Sequence, residues 1–505
     1  MANPITIDQS RSAQRATRLT PYFSLGTRYS PLFIIFTAFI LRLGSIAFQS
    51  LWRDEVDAIR FALAPLPDLI KTLTQPGYNG PLYFLMLRGW IGVAGQSEFA
   101  VRFPSLVFGV ISVVLIFALG KRLFNRSIGL IAATLFAFSA YQVWYSQEAK
   151  MYTLITALAL ASVYFLRRGI EEGRTRYWTG LVVATSLAMY AHILAALLIP
   201  VEAALFILWW RMSRSQIRSG AIALTLLTVP YIPLAGWELP LIFQPAETGF
   251  ANYTFGGMLN TLGNAYTVSI LTPLTSWLIS LVIGVSAALA IWGLLESKFS
   301  VTHRLALLLW LALPFLAIFV VSINRPIFTD RYLIWIEAAY FLLISIGLYS
   351  LWRIWKPIGL AGLIGLVVVS LLSINAQATT PFKSDFRSGA HAIEREIKPP
   401  EAIVFQIPYV QYTFDYYFHQ RYRPIEGPYT NYPGNTNGYR DSEDTVIQSL
   451  TTQFQNQQSV WLVLSEEEMW DRRHLLRQWL DSHGTVTYHA IFAQVEITRY
   501  QLSPP

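Results

Sequence analysis

The feature that most constrains this chain is a succession of long apolar runs. A bilayer core of ~30 Å needs about 20 consecutive apolar residues per helix, with ~17 as the lower end. Runs of that kind lie at roughly 31–48, 103–120, 128–145, 151–166, 177–192, 193–210, 219–236, 269–294, 305–322, 332–352 and 357–374. In lipid each backbone N–H and C=O must be bonded within its own segment, so such runs fold as helices. Composition points the same way. Of 505 residues 54% are hydrophobic and only 13% are charged, against ~25% charged in ordinary soluble domains. The net charge of +8 does not indicate nucleic acid, because the bases sit in short clusters between the apolar runs, as membrane topology dictates. Cysteine is absent, which excludes disulfides and thiolate metal sites.

Charge also orients the chain. The stretch 81–95 (PLYFLMLRGWIGVAG) is apolar but short, and it carries Arg88. If it lies along the interface, the clusters Lys121-Arg122-Arg126, Arg167-Arg168-Arg174-Arg176, Arg211-Arg214-Arg218, Lys298-His303-Arg304 and Arg353-Lys356 all fall on one side. Arg11, Arg15, Arg18 and Arg28 of the N-terminus fall there too, as the positive-inside rule requires. No small-residue cleavage site follows the first run, so it reads as a retained span. The expected organisation is a cytoplasmic tail at 1–30, a transmembrane region at 31–375 with about eleven spans, and an extracytoplasmic domain at 376–505. That domain reads as small and α/β, with a helix at 385–397, strands at 402–407, 459–464 and 486–498, and a turn-rich loop at 423–443.

With that topology the polar residues of interest gather on the outer face. SLWRDEVDAIRFA places Arg53, Asp54, Glu55 and Asp57 directly after the first span. Adjacent carboxylates at an apolar boundary raise each other's proton affinity, so one of them can serve as a general base; acids there can equally favour the start of a helix. Arg102 opens the second span, where it can snorkel or hold phosphate through its planar fork. YQVWYSQEAKMY brings Gln147, Glu148 and Lys150 to the next outer junction, between aromatics that also suit an interfacial belt. His192 stands at the following one, where a structural role competes with a functional one. NRPIFTDRYL puts Arg325, Asp330 and Arg331 before a late span. Arginines on the face opposite the basic clusters call for a compensating anion, and phosphate is the natural one. No phosphate-cradling glycine loop or zinc-protease motif is present.

Together these residues resemble the protein O-mannosyltransferase-like superfamily of GT-C glycosyltransferases, including its aminoarabinose-transferase-like members. The resemblance is carried by Asp54-Glu55, Asn79-Gly80-Pro81-Leu82-Tyr83, Arg102-Phe103-Pro104-Ser105, Tyr145-Ser146-Gln147-Glu148-Ala149-Lys150-Met151-Tyr152 and Arg331-Tyr332-Leu333, across the first ~350 residues. Two positions depart from the family pattern, which often has His-Pro-Pro in place of Asn79-Gly80-Pro81 and arginine in place of Lys150. The resemblance implies a mainly α, polytopic GT-C fold in the inner membrane. It also implies a polyprenyl-phosphate-linked sugar donor and inversion at the anomeric carbon. On that reading Asp54 is the base and Glu55 its helper. Arg331, Arg102 and Lys150 hold the donor phosphate, and Glu148, His192, Gln147, Tyr83 and Asp330 contact substrate. The acceptor, whether glycolipid, polysaccharide or protein, and any need for a divalent metal stay open. The rival reading is a transporter or flippase, for which Arg42 inside the first span would be the midplane charge.

Overall fold

The computed structural model describes residues 20–503 except 74–78, 210–213, 233–235, 237–250, 399–400, 407, 429 and 431–438. The basic residues Arg11, Arg15 and Arg18, the first part of the expected outer loop 237–268 and the middle of the turn-rich loop lie outside the described residues. The chain is a mainly helical assembly carrying a small C-terminal sheet. Among the described residues six helices are long and apolar enough to cross a membrane: Glu98–Leu123, Tyr152–Glu172, Ser276–Leu295, Val301–Asn324, Asp330–Ile354 and Lys356–Thr379. A seventh crossing results if Arg126–Phe138 and Ala140–Ser146, bent by 57°, form one span. The expected count of about eleven is therefore not confirmed. Among the described residues the apolar runs are largely helical, the first within the 24-residue helix Thr20–Leu43, but several are broken or short, such as Ile193–Leu208.

The bend has a local cause. The Ser139 hydroxyl accepts the Gln142 backbone N–H at 3.2 Å and so caps a new helix. The break leaves carbonyls of the preceding helix without partners. Arg42 takes them: its guanidinium donates to Phe136 and Ala137 carbonyls at 3.3 and 3.0 Å, and to Ala38 carbonyl and Ser146 Oγ at 3.1 Å each. The charge inside the first apolar run is thus spent on repairing a broken helix. The feature that would have marked a midplane transport site has a structural explanation, and transport is not favoured.

Elsewhere the helices pack through small residues, the usual solution where lipid removes the hydrophobic drive to associate. Ser276–Leu295 and Glu337–Ile354 approach so closely that a Cβ on Gly293 would run into the Leu343 carbonyl, and one on Gly347 into the Leu289 carbonyl. The outer faces remain apolar, with Trp277, Leu281, Val320, Ile323, Leu360 and Ile364 all exposed. The segment 81–95 forms the helix Leu82–Ala94 of 13 residues, about 20 Å at 1.5 Å per residue and too short to cross. Arg88 on it donates to the Ala62 and Ala64 carbonyls at 3.0 and 2.7 Å, fastening it to the helix Arg53–Leu63.

After the helix Phe386–Glu396 come five strands: β1 (Ala402–Phe405), β2 (Arg423–Glu426), β3 (Ser459–Leu464), β4 (Gly484–Phe492) and β5 (Val495–Leu502). They pair in the order β2-β1-β3-β5-β4, with β1 parallel to β2 and β3, and β5 antiparallel to β3 and β4. The expected single strand 486–498 is a hairpin, reversing at Gln494, whose φ of 52° is left-handed. One sheet face packs Val404, Val460 and Leu462 under Leu450, Phe454 and Trp479. The other, with Ile403, Phe405, Trp461 and Ile497, is continuous with the core of the membrane-type helices. Polar clasps complete the seating. Gln49 donates to the Gln377 and Thr380 carbonyls and accepts from the Phe382 and Lys383 amides at 2.8–3.2 Å. The Tyr417 hydroxyl accepts the Leu51 N–H at 2.7 Å, and Arg387 pairs with Glu98 at 2.8 Å.

Candidate active site

The first loop begins as the helix Arg53–Leu63. Successive residues on an α-helix point about 100° apart, since a turn takes 3.6 residues, so Asp54 and Glu55 cannot share a direction. Glu55 turns inward and is fully buried. Asp54 turns away from that core and keeps 20% of its side chain exposed.

Inside, Arg102 grips Glu55 with Nε on Oε1 at 2.7 Å and Nη2 on Oε2 at 2.8 Å. Its remaining N–H groups go to the Ile46, Gln49 and Ser50 carbonyls at 2.8, 2.8 and 3.2 Å. A guanidinium has five N–H groups, and all five are spent. Arg102 therefore has none to give a donor phosphate, which corrects the expectation from its place at a span end. Glu55 is equally occupied, receiving also the Ala149 amide at 2.9 Å and the Lys383 ammonium at 3.0 Å. Its expected share in catalysis becomes that of a buried clasp. Burial alone would push its carboxyl up, but Arg102 and Lys383 hold it well below the usual carboxylate range.

Around Asp54 the charges are held less tightly, although Arg53 is also paired with Glu466 at 3.3 Å and lies over the Tyr409 ring. Arg331 approaches with Nη2 3.6 Å from Oδ2, and Arg53 with Nε 3.8 Å from Oδ1. Burial works against the carboxylate, yet Lys150, Arg331 and Arg53 together hold Asp54 below its ordinary range. Arg331 rests against the Trp52 and Tyr152 rings at 5.6 and 6.0 Å, and its Nε–H is buried without an acceptor among the described residues. His192 faces the same cluster, its ring 4.8 Å from that of Tyr332. The His192 Nδ1 accepts the Leu194 amide at 3.1 Å. That fixes the proton on Nε2, which is buried and has no partner among the described residues. The loop Asn79-Gly80-Pro81 packs directly beneath this junction: a Cβ on Gly80 would collide with the Tyr190 carbonyl, so glycine is required there.

Glu148 lies deeper. Its Oε1 receives the Trp144 indole N–H at 3.1 Å and the Lys383 ammonium at 3.0 Å, while its Oε2 is buried and unmatched among the described residues. Burial pushes the Glu148 carboxyl up; Lys383 opposes this and Glu55 reinforces it. Tyr83 is buried beside the pair of glutamates and Ser105. Asp330 faces the Tyr141 and Tyr145 phenols. Gln147 is not brought to the cleft, because its amide is bonded to the Arg42 carbonyl and Ser45 hydroxyl at the end of the first helix. Among the described residues no group of three or more His, Asp or Glu is placed to hold a metal ion.

Sequence reasoning missed Lys383. It follows the last apolar helix in an ordinary polar stretch, TTPFKSDFR, and nothing in local spacing ties it to Glu55 or Glu148. The structure thus assembles a part-exposed carboxylate, a guanidinium and a lysine around it, and unmatched buried donors and an acceptor beside apolar helices. Such a set suits deprotonating a hydroxyl while stabilising an anionic leaving group.

Residues 75–237 match the family model described as dolichyl-phosphate-mannose-protein mannosyltransferase. Over 161 residues, 31% of this chain, the sequence is 30% identical to the undecaprenyl phosphate-alpha-4-amino-4-deoxy-L-arabinose arabinosyl transferase of Pseudomonas paraeruginosa, of which the match spans only 29%. The whole fold is similar to ArnT from Cupriavidus metallidurans bound to undecaprenyl phosphate, with a TM-score of 0.57 at 13% identity over 93% of this chain and 97% of that one. It is also similar to the Archaeoglobus fulgidus oligosaccharyltransferase in the apo form, with a TM-score of 0.55 at 11% identity over 91% of this chain and 73% of that one. The architecture is an ArnT-like GT-C fold. The family match, the curated relative and these neighbours support a GT-C glycosyltransferase of the protein O-mannosyltransferase and ArnT-like type, as the motifs led us to expect.

Proposed function

We propose that this protein transfers a sugar from a polyprenyl-phosphate-linked donor to an acceptor hydroxyl or amine, with inversion, on the extracytoplasmic face of the inner membrane. The observation that carries the reading is Asp54, a part-exposed carboxylate with Arg331 3.6 Å away and Lys150 and Arg53 adding to the positive field. Asp54 takes the acceptor proton as the new glycosidic bond forms. The lipid phosphate leaves with the bonding electrons, and Arg331 and Lys150 stabilise its charge. The His192 Nε2–H and the Arg331 Nε–H are unspent donors for phosphate or sugar oxygens. Glu148 Oε2 is an unspent acceptor for a sugar hydroxyl. The same cations that hold Asp54 low in the free protein are the ones a phosphate would engage, so donor binding makes Asp54 a stronger base. Relatives whose names include undecaprenyl phosphate and dolichyl-phosphate-mannose support the donor class. The apolar outer faces of the helices offer the tail a lipid-like surface. Incubating the purified protein with radiolabelled polyprenyl-phosphate sugars should give label transfer or donor hydrolysis. No turnover of any pentosyl, hexosyl or amino-sugar donor would count against the proposal.

A further inference from the structure

Outside the Asp54 cluster, the least expected grouping is a buried charge quartet. Glu55 and Glu148 come from two separate outer loops, Arg102 from the helix Glu98–Leu123, and Lys383 from the segment after the last apolar helix. The Lys383 ammonium is 3.0 Å from Glu55 Oε2 and 3.0 Å from Glu148 Oε1, with only 4% of its side chain exposed. The indole rings of Trp52 and Trp144 flank it at 5.7 and 5.2 Å. Two carboxylates and two cations balance. A buried carboxylate without its cation is strongly destabilised or takes up a proton instead. Arg102 serves Glu55; the sole cation on Glu148 within ion-pairing distance, among the described residues, is Lys383. Glu148 is also faced by Glu55, by Arg331 at longer range, and by the Tyr83, Tyr145 and Tyr152 phenols. Its Oε1 is fully engaged, so its Oε2 is the oxygen left for a ligand.

We propose that Lys383 is a positioning residue for the transfer reaction. By bridging Glu55 and Glu148, it docks the C-terminal segment onto the site and presents Glu148 Oε2, as an anionic acceptor, to a hydroxyl of the donor sugar. This rests on the glycosyl-transfer reading above. It explains why a segment beyond the membrane-type helices is threaded into the site. Gln49 fixes that segment's backbone by accepting the Phe382 and Lys383 amides, so the lysine enters from a set direction.

The test is a Lys383→Met and Glu148→Gln cycle. A hydrogen bond to a charged group contributes ~1.5–3 kcal/mol, so Lys383→Met should lower kcat/KM about 10- to 100-fold. Without the lysine Glu148 holds its proton more tightly, so the acid limb of the Lys383→Met profile should move to higher pH. In the Glu148→Gln background the same substitution should add little and move no limb. Losses that multiply, or an acid limb left in place, would overturn the proposal. Thermal melting of the four proteins decides without any turnover. Lys383→Met should lower the melting temperature much less when Glu148 is already Gln, and additive shifts would sink the idea. If Lys383→Met does not fold, recovery of folding in the double variant supports the bridge, and failure to recover contradicts it. A wild type inactive on all donors counts against the glycosyl-transfer reading alone, since the melting cycle still judges the bridge.

Discussion

Replacing Arg102 with Met separates a clasp from a ligand. The guanidinium is fully buried and holds Glu55 at 2.7 and 2.8 Å. Removing one member of a buried ion pair costs ~3–5 kcal/mol because the other charge is stranded. Here Lys383 and the Ala149 amide stay with Glu55, which favours the lower end, about 3 kcal/mol. Against that, the Ile46, Gln49 and Ser50 carbonyls lose their donor, and each unmatched buried group costs ~1–3 kcal/mol. Taking the low end of both, about 3 kcal/mol for the carboxylate and about 1 kcal/mol for each of the three carbonyls, the working figure is about 6 kcal/mol. The assay is melting of the detergent-solubilised protein followed by its own tryptophans, of which there are 16. A chain with no cysteine gives no signal with a thiol dye. One kcal/mol moves the midpoint by about 2–4 °C in domains of 150–250 residues and by less in a longer chain, whose unfolding entropy is larger, so a fall of roughly 10 °C is expected. Lipid-phosphate affinity in the folded fraction should be unchanged. An Arg102→Met protein that melts within about 2 °C of wild type yet loses phosphate affinity would refute the clasp and restore Arg102 as a ligand.

Asp54→Asn should lower turnover ~10²–10⁴-fold, the usual contribution of a general base, with donor binding kept; full activity in a folded variant removes Asp54 from the chemistry. Because Lys150, Arg331 and Arg53 hold the Asp54 carboxyl below its ordinary range, the residual kcat/KM of a Glu148→Gln protein, in which the raised Glu148 carboxyl no longer titrates, should persist as pH falls past the usual aspartate range. Arg331→Met should make that acid limb appear at higher pH, and an unmoved limb argues against their pairing. Arg331→Lys should weaken donor binding or turnover while leaving expression normal, since an ammonium cannot copy the fork; unchanged kinetics would take Arg331 out of the phosphate site. Single cysteines introduced at positions 124 and 440 report topology. Impermeant labelling in intact cells is expected at 440 alone, and labelling at 124 alone reverses the orientation.

Membrane character, most helical stretches, most strand positions in the C-terminal segment and the neighbourhood of the candidate site are legible in the sequence. These depend on run length, alternation and short motifs, which are local. Asp54, Glu148, Lys150, His192 and Arg331 can be singled out in the sequence because each stands at a junction where an apolar run stops. Their surroundings come from the tertiary structure alone. Asp54 and Glu55 look equivalent in sequence, but helical rotation leaves one part-exposed beside Arg331 and sends the other into the core. Arg42 looked like a midplane charge until the bend at Ser139 supplied carbonyls for it. Arg102 could have been a phosphate ligand until five acceptors from distant residues closed around it. Lys383 gave no signal because its meaning comes from carboxylates 328 and 235 positions away in the chain. A charge is read by its three-dimensional neighbours, and periodicity carries no information about which distant loop will meet it.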